Sequence, residues 1–178
     1  MLEQYLLSLQ EGYLLSDKTI SIDLHKFESG QSNKLLIVGL IASGKTTLGM
    51  YLSNKYKVPW KTTDDCEVFA SKTKGLDEFV ECTRNLVKDK KRTIVEGIAL
   101  VDLYTEFGYR KEMQSYPMII VGRSVYSSAI KSYQRNNKQW LLQTKINIKM
   151  GLPRLAAVRK HRTSLPGADV QEYKIPKL

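Results

Sequence analysis

The residues from Gly39 to Thr46 have the composition and spacing of a loop that holds phosphate groups. They read GLIASGKT and fit the pattern G-x-x-x-x-G-K-[S/T] in full. In this pattern the glycines let backbone N–H groups surround phosphate oxygens, the lysine reaches the β- and γ-phosphates, and the last hydroxyl ligates Mg²⁺. We call residues 39–46 the glycine loop and expect it to bind a nucleoside triphosphate. The expected contacts are Gly39, Ala42, Ser43, Gly44, Lys45, Thr46 and the adjacent Thr47.

The sequence around the glycine loop predicts an α/β fold. The loop follows an apolar run at residues 34–38, which is typical of a buried parallel strand, and it precedes residues with helical spacing. This alternation of strands and helices continues along the chain and predicts a three-layer αβα sandwich with a parallel sheet, whose function lies at the carboxyl ends of the strands. We expect residues 1–33 to form an N-terminal extension and residues 34–178 a nucleotide-binding domain. Further strands are predicted at residues 19–24, 59–62, 92–95, 117–121 and 170–175, and further helices at residues 1–12, 76–89, 124–135, 139–150 and 153–160.

The glycine loop indicates a nucleotide-binding class and leaves the reaction open. A GTPase should carry N-K-x-D for guanine, but residues 137–140 read NKQW and lack the carboxylate. A motor ATPase should carry an Asp-rich second motif, whereas the strand at 92–95 is followed by Glu96 and Gly97. These differences favour a kinase.

At four landmarks the chain resembles the P-loop kinases of the adenylate-kinase, shikimate-kinase and polynucleotide-kinase type. The landmarks are the glycine loop, the segment TTDDCEVF, the strand end VEG at residues 95–97, and a strand followed by basic helices from Ile119 onward. The resemblance covers roughly residues 34–162. It implies a fold like that of the nucleoside-monophosphate kinases, with a basic lid and substrate region at about residues 123–162, and it implies ATP and Mg²⁺ as cofactors.

The resemblance also assigns roles to acidic residues. Asp64 or Asp65 is expected to accept the proton of the acceptor hydroxyl, and Asp64 also to reach the metal shell. Asp64 is favoured because it matches the second Asp of the D-x-D pattern of shikimate kinases, although Thr62 replaces the first; Asp65 has an alternative role as a helix N-cap. Glu96 is expected to hold a Mg²⁺-bound water or orient the acceptor, or else to be satisfied by a nearby lysine or a helix N-terminus. Gly97 is expected to let substrate approach the backbone.

Kinases of this type close an arginine-bearing lid over the phosphates, because the arginines neutralise charge on the transferring group. Arg135, at the end of a predicted helix, is the first candidate for a catalytic lid residue. Arg123 is expected to stack on the nucleotide base or contact a phosphate, and Arg159 and Arg162 to complete the cage around the substrate. For each of these arginines the alternative is a solvated surface position.

Positive charge is concentrated in one third of the chain. The net charge is +10, from 28 Lys and Arg against 18 Asp and Glu, and residues 113–168 contain ten cations and no acidic residue. Tyr126, Tyr133 and Trp140 lie among these cations, either as stacking platforms for bases or as core residues. The stretch is either a solvated basic face or a surface for a nucleic acid, with DNA favoured.

Three functions follow from these observations. The favoured one is an ATP-dependent kinase whose acceptor hydroxyl belongs to a nucleic acid, either a 5′-hydroxyl or a hydroxymethyl group on a base. In size, basicity and motifs the chain resembles the small phage kinases that phosphorylate 5-hydroxymethyluracil in DNA. The alternatives are a nucleoside-monophosphate or other small-molecule kinase, and an accessory protein that binds ATP and DNA without turnover.

The sequence also bears on location. No apolar run reaches the length of roughly 18–20 residues that crosses a bilayer. Cys66 and Cys82 are the only cysteines, too few for a disulfide scaffold or a four-cysteine metal site. We therefore expect no membrane and a reducing cytoplasm, which is that of the host if the protein is viral.

Overall fold

Alternate residues of the central strand, β2 (Lys34–Gly39), point to opposite faces of the sheet. In the computed structural model, which describes residues 2–13, 15–66, 75–135 and 139–173, Leu35 and Ile37 belong to one apolar cluster, and Leu36 and Val38 to another. All four side chains are 0% exposed. Each face of the sheet thus has its own core, and the predicted α/β class is confirmed.

The elements of the described residues follow the predicted order. The strands are β1 (Thr19–Ile22), β2 (Lys34–Gly39), β3 (Trp60–Thr62), β4 (Thr93–Glu96), β5 (Met118–Val121) and β6 (Val170–Tyr173). The α-helices are α1 (Leu2–Gly12), α2 (Leu24–Glu28), α3 (Lys45–Tyr56), α4 (Leu76–Lys88), α5 (Ala99–Thr105), α6 (Arg110–Gln114), α7 (Val125–Arg135), α8 (Trp140–Ile146) and α9 (Leu152–Thr163), with a π-helix (Asn147–Gly151) between the last two. Helices α2, α5 and α6 have 5, 7 and 5 residues, too few to show a helical period in the sequence, and they are not among the predicted elements.

The sheet is mixed, which corrects the prediction of a parallel sheet. Its strand order is β3-β4-β2-β5-β1-β6. Strands β3, β4, β2 and β5 are parallel, whereas β1 pairs antiparallel with both β5 and β6. The alternation of apolar and polar residues predicts that residues 19–24 form a strand, but it contains no information on strand direction. Part of the expected N-terminal extension is therefore an internal strand of the same sheet.

Helices cover both faces of this sheet. Helices α2 and α3 bury Phe27, Leu48 and Leu52 against one face. On the other face, α5 and α9 bury side chains that include Leu100 and Leu155, together with α1 and the start of α7. Because β2, β4 and β5 are parallel and adjacent, their carboxyl ends meet at one edge of the sheet.

Cys66 and Cys82 form a disulfide, with their Cα atoms 5.7 Å apart. The low cysteine content is the basis for expecting a reducing cytoplasm, but a count of cysteines does not show that Cys66, just after β3, lies against α4. In the described residues, no helix is long and apolar enough to span a membrane.

Candidate active site

The glycine loop lies between the carboxyl end of β2 and the start of α3. Ala42 and Gly44 have positive φ angles of 63° and 102°, and the Ser43 N–H donates to the Leu40 carbonyl at 3.1 Å. These angles turn the chain sharply into α3, a helix of 12 residues whose first N–H groups have no partner within the helix. A loop of this shape at a helix N-terminus presents backbone donors to an anion.

Gly39 is required by close packing at the base of the glycine loop. A Cβ at this position would lie 2.6 Å from Ser43 Oγ and 2.9 Å from the Val121 carbonyl oxygen. Gly39 is also the register partner of Val121. The glycine loop is thus held directly beside the carboxyl end of β5.

The lysine and the hydroxyl of the glycine loop face the carboxylate at the end of β4. Lys45 is buried and its Nζ donates to the Leu40 carbonyl at 2.9 Å. The Thr46 hydroxyl donates to Glu96 Oε1 at 3.0 Å. Glu96 is 1% exposed, and its Oε2 has no hydrogen-bond partner among the described residues.

Burial raises the pKa of Glu96 above the usual glutamate range. The positive charge of Lys45 and the hydroxyls of Thr46 and Thr62 oppose this rise, and the nearby carboxylate of Asp64 adds to it. All five residues therefore lie close enough to interact electrostatically. The structure brings together Lys45, Thr46, Asp64 and Glu96, four of the residues that the sequence singles out.

Gly97 brings the segment that carries Asp64 against Glu96. Gly97 has a φ of 150°, and a Cβ there would lie 1.7 Å from Thr63 Oγ1. The Thr63 N–H donates to the Glu96 carbonyl at 2.8 Å. Thr63 thus occupies the position that a side chain at residue 97 would take, and the approach of a substrate to the Gly97 backbone stays a prediction. Asp64 and Asp65 are exposed on the helical turn that follows, and residues 67–74 lie outside the described part of the chain.

Arg123 lies two residues before α7, and Arg135 is the last residue of that helix. Arg123 is half-buried just after β5 and lines a cavity of about 360 Å³ together with Asp17, Ser127, Ile130, Lys131 and Gln134. Arg135 is exposed at the last residue of α7. Both lie on the segment that leaves the carboxyl edge of the sheet.

The structure does not bring Arg159 and Arg162 to this edge. Arg162 is 0% exposed, and its guanidinium donates to the carbonyls of Met113, Gln114 and Tyr116 at 3.2, 2.9 and 2.7 Å. These carbonyls precede β5 and lie at the amino ends of the parallel strands. Arg159 lies one turn earlier on the same helix.

Asn147 contacts the glycine loop and is missed by the sequence analysis. It is 1% exposed, its Oδ1 accepts a hydrogen bond from the Ile41 N–H at 2.9 Å, and its Nδ2 donates to the Ile41 carbonyl at 3.2 Å. Asn147 begins the π-helix, a feature that often occurs at functional sites. The sequence feature that could have indicated Asn147 is its polar amide, which stands between Ile146 and Ile148 in a mostly apolar helical segment.

We predict that Asn147→Ala weakens nucleotide binding about tenfold, because it leaves both backbone groups of Ile41 without their buried partner, a loss of roughly 1–3 kcal/mol. Titration with a fluorescent ATP analogue measures this change. Asn54→Ala, which removes an exposed amide from α3, is the matched control. Equal affinities of the two variants would contradict a positioning role for Asn147.

We predict that Glu96→Gln stabilises the metal-free protein by about 1 kcal/mol at neutral pH, because the wild type must bury a carboxylate. The folded-state pKa of Glu96 is raised, so the native state retains this proton to higher pH than the unfolded state. The wild type therefore loses stability as pH rises from the ordinary glutamate value through the raised one.

Denaturant unfolding across this pH range measures the difference between the two proteins. The difference in the free energy of unfolding should be absent at low pH and should reach its maximum above the raised pKa of Glu96. Glu11→Gln, at an exposed position of α1, is the control. A difference that does not change with pH would contradict the assignment.

The fold and the site define an α/β protein with a glycine-rich loop between a buried strand and a helix. No protein-family model, curated protein or solved structure matches the chain.

Proposed function

We propose that the chain is an ATP- and Mg²⁺-dependent phosphotransferase that transfers the γ-phosphoryl group to a hydroxyl of a nucleic acid. The observation that carries this proposal is the position of Lys45 and Thr46 beside Glu96 and Asp64 at the carboxyl edge of the sheet. Phosphoryl transfer to a hydroxyl requires a loop suited to phosphates and a carboxylate that can accept the proton. Asp64 is such a carboxylate, exposed just after the edge strand β3, which is two strands away from β2.

The residues present suit Mg²⁺ held together with a nucleotide. The Thr46 hydroxyl lies 3.0 Å from Glu96 Oε1, and Glu96 Oε2 is a buried oxygen without a partner in the described residues. The described residues contain no group of three or more His, Cys, Asp or Glu side chains that could hold a metal alone. This agrees with a Mg²⁺ ion that takes its other ligands from phosphates and water and that, when bound, neutralises charge on the phosphate oxygens.

Different groups of the chain have different roles in the proposed phosphoryl transfer. Backbone N–H groups of the glycine loop and the Lys45 ammonium hold the β- and γ-phosphates. The acceptor oxygen forms a bond to the γ-phosphorus as the bond from that phosphorus to the β-phosphate oxygen breaks, and ADP leaves. The carboxylate of Asp64 accepts the hydroxyl proton. Arg123, which lies just after β5 at the same edge, neutralises charge on the transferring group.

The excess of positive charge supports a nucleic acid as the acceptor. Lys131, Lys145 and Lys149 are exposed on the helices that begin and end beside the glycine loop. A phosphate backbone has the charge density to use such a group of cations, because each contact releases a counterion. On the resemblance noted above, a 5-hydroxymethyl group on a pyrimidine base of DNA is the favoured acceptor, and a 5′-hydroxyl is the next.

One observation favours a second candidate, a small-molecule kinase. A cavity of about 580 Å³ lies along α4 beside the edge strand β3 and is lined by Lys61, Asn85, Leu86 and Asp89, among others. Its volume falls in the range of small-molecule sites, and Lys61 is three residues before Asp64. The chemistry at the glycine loop is the same in both candidates, and only the acceptor differs.

The substitutions Asp64→Asn and Asp65→Asn test the proposed chemistry. We predict that Asp64→Asn lowers the transfer rate at least about a hundredfold, the usual contribution of a general base, and leaves ATP binding within about twofold. Asp65→Asn is the matched control, since it removes the neighbouring exposed carboxylate. The measurement is transfer of labelled γ-phosphate, with ATP affinity determined in parallel. Transfer that survives in both variants would contradict the catalytic assignment, and ATP and DNA binding without transfer in the wild type would favour an accessory protein.

A further inference from the structure

The two helices α7 and α8 form a hairpin with both ends at the glycine loop. Helix α7 starts four residues after Val121, which is the register partner of Gly39. Helix α8 runs into the π-helix, where Asn147 bonds to Ile41 and where a Cβ on Gly151 would lie 2.8 Å from Leu40 Cδ2. The two helices pack against each other, and residues 136–138 between them lie outside the described residues. We call residues 125–135 and 139–149 the basic hairpin.

The basic hairpin carries four exposed cations. They are Lys131, Arg135, Lys145 and Lys149. In the part of the chain that the structure describes, none of the four forms an ion pair. Since residues 113–168 contain no Asp or Glu, the hairpin has no acidic residue of its own to neutralise them.

Other cations of the acid-free stretch are used within the fold. Arg154 forms ion pairs with Asp102 and Glu106 of the segment at α5. Arg162 is buried among backbone carbonyls at the opposite edge of the sheet. Of the described cations in this stretch, those of the basic hairpin and the neighbouring Arg123 thus remain available near the glycine loop.

Exposed aromatic rings accompany these cations. Tyr126, Ile130 and Tyr133 lie on one face of α7, at spacings of four and three residues, and are 36%, 39% and 55% exposed. Tyr133 also packs edge-on against Trp140, with ring centroids 5.8 Å apart. Aromatic rings among uncompensated cations suit a strand whose bases are unpaired, because such bases can stack while their phosphates contact the cations. The bases of a duplex are not available for such stacking.

We propose that the basic hairpin is the docking surface for single-stranded nucleic acid. The phosphates of the nucleic acid contact Lys131, Arg135, Lys145 and Lys149, and its bases stack on Tyr126 and Tyr133. Docking would present an acceptor hydroxyl beside the glycine loop, and this part of the inference rests on the proposed function. Binding itself requires neither ATP nor turnover and is measured without them.

The test compares two triple variants of the full chain. Lys131→Glu/Lys145→Glu/Lys149→Glu reverses charge on the basic hairpin. Lys90→Glu/Lys111→Glu/Lys160→Glu makes the same charge change at exposed lysines near the amino ends of the parallel strands. Fluorescence anisotropy reports binding of a labelled oligonucleotide of about 20 nucleotides, longer than the site of one small binding domain. Single-stranded DNA, single-stranded RNA and duplex DNA are the three arms, each at several salt concentrations.

We expect the hairpin variant to weaken single-strand binding at least about tenfold and to flatten the dependence of log affinity on log salt by about 2, since each lost phosphate contact contributes about 0.7. The opposite-edge variant should stay within about threefold, because the Debye length is only about 10 Å at 0.1 M salt. Tyr133→Ala should weaken binding about tenfold with an unchanged salt slope, because it removes stacking alone. The comparison of single-stranded DNA with single-stranded RNA shows which type of nucleic acid the hairpin binds.

Equal losses in the two triple variants would overturn the inference, as would binding of the duplex as tight as that of the single strand. Melting temperature and ATP affinity, both expected to be unchanged in the hairpin variant, exclude loss of fold as the cause. If the wild type transfers phosphate to a free nucleotide but binds no strand, this inference fails and the kinase remains. If the hairpin binds strands but no acceptor is phosphorylated, the proposed function fails and the docking surface remains.

Discussion

Lys45→Ala is expected to abolish nucleotide-dependent activity. The side chain is buried at the glycine loop and donates to the Leu40 carbonyl at 2.9 Å, so its charge is held where the phosphates are expected. Removing one such preorganised donor typically lowers a transfer rate about 10²- to 10³-fold. Alanine favours helices, so the start of α3 should persist. The measurement is ATP affinity and γ-phosphate transfer at saturating Mg²⁺.

Lys55→Ala is the control for this variant. Lys55 is in the last turn of the same helix, and its contact with Glu28, at 3.9 Å, is between exposed side chains. Its removal should change stability by less than about 0.5 kcal/mol and leave activity unchanged.

The charge of Lys45 also lowers the pKa of Glu96, so the pKa of Glu96 should rise further in Lys45→Ala. A Lys45→Ala protein with normal ATP affinity would show that the glycine loop is not the nucleotide site.

Gly97→Ala is expected to disrupt both stability and catalysis. The added Cβ would lie 1.7 Å from Thr63 Oγ1 in a backbone conformation that disfavours alanine. Relief of this overlap must push Thr63 away from Glu96, and Asp64 moves with it. We expect a loss of about 3 kcal/mol in the free energy of unfolding. Transfer should fall about a hundredfold, because displacement of a reacting group by about 1 Å costs that much.

Gly30→Ala is the control, at a second glycine with a positive φ. Gly30 has a φ of 79° and no atom within 4 Å of an added Cβ. The Gly30→Ala substitution should lower the free energy of unfolding by about 1 kcal/mol and leave phosphate transfer unchanged. Adding Thr63→Ala to Gly97→Ala removes the closest atom and should recover part of the stability. Similar losses in Gly30→Ala and Gly97→Ala, by urea unfolding, would show that packing against Thr63 is unimportant.

The glycine loop is the part of the site that sequence predicts best, because its chemistry depends on residues within one short segment. The glycine spacing, Lys45 and Thr46 together specify a loop, a cation and a hydroxyl without reference to the rest of the chain. The position of Glu96 follows almost as directly. It comes straight after an apolar strand, and the carboxyl ends of adjacent parallel strands share an edge.

Arg162 shows why a charge pattern alone misleads. The sequence stretch around it is basic, so a role in binding anions is the simple interpretation. However, Arg162 lies four residues after Val158 and seven after Leu155, which places it on the buried face of α9. Helical spacing thus predicts that Arg162 faces the core. It does not predict the three carbonyls to which the guanidinium donates, because only the fold brings them together.

Two other features require the tertiary structure. The direction of β1 depends on how residues 15–18 approach Gly122, whose N–H donates to the Lys18 carbonyl at 2.9 Å, and no local pattern encodes this contact. The contact of Asn147 with Ile41 joins residues 106 positions apart in the chain. The amide between Ile146 and Ile148 marks a polar group in an apolar segment, but it does not identify the partner of that group.

The most direct test of the central claim is transfer of labelled γ-phosphate from ATP in the presence of Mg²⁺. The acceptors are free nucleoside monophosphates, plain DNA, 5′-dephosphorylated DNA and DNA that contains 5-hydroxymethyluracil. We predict that label enters a nucleic-acid hydroxyl, with 5-hydroxymethyluracil DNA favoured, and that Lys45→Ala and Asp64→Asn each lower this transfer at least about a hundredfold. Label in a free monophosphate alone would contradict the nucleic-acid acceptor. ATP bound by the wild type with no label in any acceptor would contradict the kinase itself.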